Sequence, residues 1–272
     1  MQNPMRFIDF WGLSPGDIVQ RTVNVTQGNT LAIRSTAGGT ATGSLQRGEQ
    51  VNIRYVPFGD RPTTTVSDGT VLRWVELESG GWIASNFLSN LPPLFIFHGD
   101  EDYTIGYIDR NMPLLEDRFV VVRHTAGDRG ALGRAWNASP ENMANVVMLF
   151  HGSPNDISTI NPLLLPNLNV KTIHTLIMLS CNNAHRDVSN NIAELFFARN
   201  NITQMIAFDG AFTITSGTAG TTTLGRRGAF ERARPADSTR QPLGMIRFAG
   251  NMRIPVGTTF YSIDDLLMRL GR

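Results

Sequence analysis

The sequence predicts a multidomain chain: a small all-β barrel over residues 15–90, then an α/β domain over residues 91–272 whose mainly parallel sheet is flanked by helices. Three observations carry this reading. Up to Ser89 the apolar residues fall into short strand-like runs divided by Gly-rich turns, the grammar of a small barrel. From Leu94 the runs become continuous and alternate with segments of helical period, as in a sheet covered on both faces. Between the two lies Leu91-Pro-Pro93, a stiff break that favours extended backbone and cannot continue a ladder. A length of 272 residues is also long for one compact domain, and 41% hydrophobic against 17% charged residues leaves apolar surface for two cores.

In the first part the strands are Val23–Val25, Leu31–Ile33, Gln50–Val56, Val71–Leu77 and Trp82–Ile83. The residues Leu31-Ala-Ile-Arg-Ser35, Gly43-Ser-Leu-Gln-Arg-Gly48 with Val51, Trp74-Val-Glu-Leu77 and Gly81-Trp-Ile-Ala-Ser-Asn-Phe-Leu88 together resemble a bacterial SH3-like domain. That resemblance implies either a ligand, from the cell wall or a protein, or a positioning role for a neighbouring catalytic domain. Trp74 and Trp82 are barrel core or ligand platform on this reading. Residues Pro57–Thr70 form a longer insertion than a hairpin needs.

In the second part the strands are Leu94–Phe97, Phe119–Val122, Val146–Phe150, Thr175–Leu179 and Gln204–Phe208. A helix is expected over Val188–Arg199, where Val188, Ile192, Leu195 and Phe196 make a stripe of period 3.6. In such sheets functional groups gather at the carboxyl ends of the strands, where His151, Cys181 and Asp209 fall.

Cys181 is the only cysteine, so no intramolecular disulfide is available. Taken alone, such a residue is more often an inert core thiol. Its place at a strand end, thirty residues after a strand ending in His151-Gly152, points instead to a nucleophile with a basic partner. A free thiol of pKa about 8.5 is mostly protonated at neutral pH, and an adjacent imidazole raises the thiolate share and returns a proton to the leaving amine. Gly152 gives a substrate carbonyl close access to a backbone N–H, which with the N–H of Cys181 makes an oxyanion hole. His98-Gly99 also ends an apolar strand, and His185 lies one turn beyond Cys181, so each is an alternative base. His174 stands at the wrong end of the Cys181 strand.

Phe150-His-Gly-Ser-Pro-Asn-Asp156, then Leu179-Ser-Cys-Asn-Asn183, then Met205-Ile-Ala-Phe-Asp-Gly-Ala-Phe212, resemble the caspase-like cysteine peptidase superfamily, with the autoprocessing cysteine proteases of large bacterial toxins nearest in wording. In that superfamily two strands precede the one that ends in His-Gly, as Leu94–Phe97 and Phe119–Val122 do here. The resemblance implies His151 as general base or acid, Cys181 as nucleophile, Gly152 as oxyanion donor, a protein or peptide substrate, and activation by an inositol phosphate. Asp209 is a candidate for a pocket that takes a basic substrate side chain. Two other classes stay open. Leu149-Phe-His-Gly-Ser153 also resembles the nicotinamide-pocket strand of ADP-ribosyltransferase toxins, which need a later catalytic Glu, a motif that Glu194 and Glu231 do not carry; and an interaction protein with a decayed peptidase domain is the third class.

Net charge is +1, but residues 221–272 hold nine Arg against four acids, +5, so the remainder is −4. The tightest cluster, Arg226, Arg227, Arg232, Arg234 and Arg240, is either a solvated face or a polyanion site led by Arg226 and Arg227. Only Lys171 is lysine, a skew that suits an effector avoiding lysine modification, or a GC-rich genome. No Cys/His set has metal-ligand spacing and no phosphate-loop glycine pattern precedes a helix, so neither a metal, another cofactor nor a nucleic acid is implied. The first residues lack a basic and apolar leader and no stretch approaches about 18 uninterrupted apolar residues, so a soluble chain without signal peptide is expected, with release or translocation as an effector one possibility.

Overall fold

The computed structural model describes residues 13–128, 130–214, 228–231, 243–257 and 263–270. Two compact units divide between Pro93 and Leu94. The chain is mostly β, in several sheets, with a few helices.

The first unit contains β1 (Ile18–Val23), β2 (Thr30–Arg34), β3 (Ala41–Gln46), β4 (Gln50–Arg54), β5 (Thr63–Thr65), β6 (Val71–Glu76), β7 (Trp82–Ala84) and β8 (Leu88–Ser89). They form a three-stranded sheet, β4-β1-β8, and a five-stranded one, β3-β2-β7-β6-β5. An antiparallel bridge from Ile53 to Leu77 joins the two sheets around a core that includes Val23, Leu31, Trp74, Val75 and Ile83. Trp74 belongs to this core, and its indole N–H donates to Thr64 Oγ1 at 2.6 Å. Trp82 is half-buried against the same core. The insertion after Pro57 supplies β5, which pairs antiparallel with β6.

The second unit contains β9 (Pro93–His98), α1 (Asp102–Glu116), β10 (Val120–Thr125), α2 (Ala131–Ala138), β11 (Asn142–Leu149), β12 (Gly152–Ser153), β13 (Asp156–Ile157), β14 (Thr172–Leu179), α3 (Ile192–Arg199), β15 (Asn201–Asp209), β16 (Ala211–Ile214), β17 (Gly228–Glu231), β18 (Gly244–Ala249), β19 (Met252–Gly257) and α4 (Ile263–Leu270). Its main sheet has seven strands in the order β10-β9-β11-β14-β15-β18-β19. Strands β9, β11, β14 and β15 run parallel, while β18 and β19 return antiparallel, so the sheet is mixed rather than mainly parallel to its edge. A parallel return needs a crossover, usually a helix; between β15 and β18 the described residues provide the antiparallel pair β16–β17.

The continuous apolar runs are explained by the two faces. Alternate residues such as Phe95, Phe97, Val146, Met148, Leu176 and Met178 pack with Trp136 of α2 and Phe196 of α3. The intervening Leu94, Ile96, Val147, Leu149, Ile177 and Leu179 pack with Ile108 of α1 and Leu266 of α4. Both sets are buried, so the period of two is invisible in hydrophobicity. Pro93 is the first residue of β9, a position that tolerates the missing N–H.

Strand β10 begins after Phe119 and runs on to Thr125. The helix expected from Val188 starts only at Ile192, because Asn191 caps it: the Asn191 side chain accepts from Glu194 N–H at 3.0 Å while Glu194 Oε2 accepts from Asn190 N–H at 3.0 Å. The Asn191 cap, with Glu194 holding the preceding residue, overrides the apolar period upstream.

Candidate active site

The parallel register fixes what meets at the carboxyl end of the sheet. His98, Leu149 and Leu179 occupy equivalent positions on β9, β11 and β14. His151 and Cys181 each lie two residues past that level, beyond the ends of the adjacent strands β11 and β14. Adjacent strands are about 4.8 Å apart. Cys181 forms no disulfide and is half-buried, whereas the His151 side chain is 73% exposed. A reactive pair needs this combination, because a nucleophile must be reachable and its base must be able to turn.

The two ends are in close contact. A Cβ placed on Gly152 would lie 1.8 Å from Ser180 Oγ and 3.0 Å from the Asp156 carbonyl oxygen. Only glycine lets the backbone after His151 approach the residue before Cys181 so nearly. Beyond it, β12 and β13 form a tight antiparallel pair, and the Ser158 N–H donates to the His151 carbonyl at 2.8 Å. The Ser180 N–H turns back to the Met178 carbonyl at 3.0 Å, which ends β14 and turns Cys181 out of the ladder.

Two further residues reach His151, and neither was singled out from the sequence. Tyr103, in the first turn of α1, places its hydroxyl 2.5 Å from His151 Nε2, with the rings edge to face at 5.6 Å. Glu101, just before α1, holds Oε1 3.9 Å from the same nitrogen. Burial first, then the charges of Glu101 and Cys181, push the Tyr103 phenol above its ordinary value near 10, against a lowering hydrogen bond from Thr104. The phenol is therefore neutral at neutral pH and serves as a hydrogen-bonding partner. An N–H at Nε2 would donate to the Tyr103 hydroxyl and face Glu101, leaving the lone pair on Nδ1; in the other tautomer the Tyr103 hydroxyl donates to Nε2.

The second His-Gly pair builds this arrangement instead of competing with it. His98 is fully buried; Arg123 Nε donates to its Nε2 at 2.7 Å, so its Nδ1–H donates to the Gly99 carbonyl at 2.6 Å. Burial first, and then the Arg123 charge, holds His98 below its ordinary value near 6.5, opposed by the Gly99 carbonyl and by Asp109 and Glu101. Both nitrogens are occupied within the core. The absence of a side chain at Gly99 leaves room for Glu101, whose Oε2 would lie 2.0 Å from a Cβ there.

The loop after Cys181 is held from below. Asn182 adopts a left-handed backbone, φ 54°, and its N–H donates to the Gly210 carbonyl at 2.9 Å. Asn183 is buried, donating to Met178 O at 2.9 Å and accepting from Phe208 N–H at 2.7 Å, which ties the loop to β14 and β15. Asp209 is brought to the same end of the sheet but is only 1% exposed. Its carboxylate accepts from Leu243 N–H at 2.7 Å and from Arg186 N–H at 3.4 Å, so what it visibly does is tie the Cys181 loop to the start of β18. His185 is buried with Nδ1 accepting from Asp187 N–H at 3.3 Å, and His174 is exposed near the amino end of β14.

Arg226 and Arg227, with Arg232, Arg234 and Arg240, lie outside the described residues. Among the described residues, no group of three or more His, Cys, Asp or Glu side chains is placed to hold a metal ion, and no helix is long and apolar enough to cross a membrane. Neither a known protein family nor any curated protein matches the chain.

Proposed function

We propose that the second unit is a cysteine endopeptidase of the caspase-like kind, with Cys181 as nucleophile and His151 as its proton carrier. The observation that carries the proposal is the parallel register of β11 and β14, which sets His151 and Cys181 two residues beyond the paired Leu149 and Leu179. The pair of strands that precede β11, β9 and β10, and the place of the site at the carboxyl ends support the same reading.

In the proposed reaction His151 Nδ1 takes the thiol proton, Nε2–H being held by Tyr103 and Glu101. The thiolate attacks the scissile carbonyl carbon, and the oxyanion is met by the N–H groups of Cys181 and Gly152. The C–N bond then breaks, the imidazolium gives its proton to the departing amine, and an acyl thioester remains on Cys181. Water, giving its proton to His151, attacks that thioester; the C–S bond breaks, the acid product leaves and the thiol is restored. The first unit serves in this proposal as an SH3-like targeting module, supported by the order of its short strands around Trp74. An effector role is supported by the one lysine: Lys171 is 3% exposed and its Nζ donates to Ser139 O at 2.6 Å, so no lysine amine is open to modification. For the ADP-ribosyltransferase alternative, Glu194 is engaged in capping α3, which leaves that reading without support from it.

Alkylation by iodoacetamide tests the dyad without knowledge of a substrate. Cys181 in the wild type should react at least about tenfold faster than in His151→Ala, because the imidazole takes the thiol proton as the sulfur attacks. Equal rates refute the dyad. Peptide fragments formed by the wild type should likewise be absent with Cys181→Ala.

A further inference from the structure

The first unit carries a cleft that the peptidase proposal does not use. It encloses about 530 Å³ and is lined by Arg21 and Arg61, by Tyr55 and Phe58, and by apolar groups that include Ile53 and Leu88. That volume lies in the range of sites for small ligands and short peptide segments. No Asp or Glu is among the described residues that line it.

The chemistry of the lining is specific. Arg61 is held in place, its Nε donating to Val56 O at 2.9 Å and its Nη1 to Ser85 Oγ at 3.2 Å. Phe58 is 63% exposed, yet it sits under two guanidiniums: Arg73 lies 4.2 Å and Arg61 5.7 Å from its ring centre. The ring thus supports positive charge that no carboxylate of the lining neutralises. Burial first holds the Arg61 guanidinium below its usual range; Arg21 and Arg73 act in the same direction and Tyr55 against it. Arg61 lies near Arg21 and shares the Phe58 ring with Arg73 beside an apolar wall, an arrangement that suits a negative group attached to an apolar body. Guanidinium forks match the two oxygens of a carboxylate, and a lining that is half apolar suits a carboxylate beside a hydrophobic side chain better than a bare inorganic anion.

We propose that this cleft binds a short acidic peptide segment, with a carboxylate on Arg21 and Arg61 and a neighbouring apolar side chain against Tyr55, Phe58 and Leu88. The proposal is independent of peptidase activity.

The test uses the full chain as Cys181→Ala, so that the probe stays intact whatever the second unit does. The probe is the blocked dipeptide N-acetyl-leucyl-glutamate amide, followed by isothermal titration at low and high salt, with the leucyl-glutamine counterpart and inorganic phosphate as the other arms. Expected are binding of the glutamate peptide, at least about tenfold weaker binding of the glutamine peptide, as for a lost charged hydrogen bond, and loss of affinity as salt screens the pair. Arg21→Gln should weaken binding to a similar degree with an unchanged unfolding midpoint; because Arg61 also makes two internal hydrogen bonds, Arg61→Gln is the second variant. No binding, equal affinity for the two peptides, or an unchanged affinity in a folded Arg21→Gln protein overturns the proposal. Displacement of the peptide by equimolar phosphate would assign the cleft to small anions and overturn the peptide assignment.

Discussion

Gly152→Ala tests the junction of the two strand ends most directly. The added methyl would sit 1.8 Å from Ser180 Oγ, 3.2 Å from Ser180 Cβ and 3.0 Å from Asp156 O. Ser180 is fully buried, so its hydroxyl has no solvent to swing into. Overpacking of this kind costs about 1–3 kcal/mol. With a urea dependence of about 2 kcal/mol per M, the midpoint should fall by about 0.5–1.5 M. The displaced strand ends should also slow iodoacetamide alkylation of Cys181 toward the rate of His151→Ala. Ser180→Ala removes the atom of closest conflict, so Gly152→Ala and Ser180→Ala combined should recover about 1–2 kcal/mol relative to the sum of the single effects. Urea unfolding followed by far-UV circular dichroism, with alkylation rates measured on the same samples, reads both effects. Wild-type midpoint and thiol reactivity in Gly152→Ala, or no recovery on adding Ser180→Ala, would refute the contact and the site geometry drawn from it.

Loss of the Tyr103 hydroxyl in Tyr103→Phe should lower Cys181 reactivity about two- to tenfold, the worth of one hydrogen bond. Glu101→Gln should have a smaller effect, and the double variant less than the product of the two, since both act through His151 Nε2; wild-type rates in all three would remove them from the site. His98 and His124 are both held below their ordinary value near 6.5, chiefly by burial. The unfolded chain therefore binds the extra protons, so their stability contribution is complete above pH 6.5 and is lost as pH falls below it, at up to about 1.4 kcal/mol per pH unit for each. Urea midpoints should drop between pH 7 and pH 5, with a shallower slope in His98→Gln; a flat profile contradicts the burial of neutral imidazoles. An amine-reactive ester should modify Lys171 only after unfolding, as read by peptide mapping, and rapid native labelling there would contradict its burial.

Much of the architecture was legible because burial of both faces of a sheet writes itself as uninterrupted apolar runs. All five runs after Leu94 became strands of one sheet. The edge was not legible: β18 and β19 follow a stretch rich in Gly, Thr and Arg, and whether a returning strand is parallel depends on the connection, not on the strand. The start of α3 lies four residues after the apolar period begins, because the Asn191 side chain caps the helix there. The strand-end positions of Cys181 and His151 are legible because each follows a continuous apolar run. Tyr103 and Glu101 were missed because their role depends on α1 beginning directly after β9, over a chain end shared with β11. One signal was present: Glu101 stands two residues after a glycine, a spacing that lets its carboxylate fold back over Gly99.

The two His-Gly pairs show why residue type alone does not define such a site. His98-Gly99 and His151-Gly152 both end apolar strands of the same sheet, and composition cannot rank them. Register does. His98 is level with Leu149 and Leu179, inside the ladder, where it is covered on both faces and must satisfy its two nitrogens with Arg123 and the Gly99 carbonyl. His151 lies two residues further, about 6.6 Å along the strand, past the last paired residue of β11 and free to turn toward Cys181, which lies the same distance past β14. A shift of one residue in either strand would turn each side chain to the opposite face. The chemistry proposed for His151 and Cys181 therefore rests on a backbone quantity, the offset between strand end and functional residue, and the lack of that offset leaves His98 a core imidazole held by Arg123 and the Gly99 carbonyl.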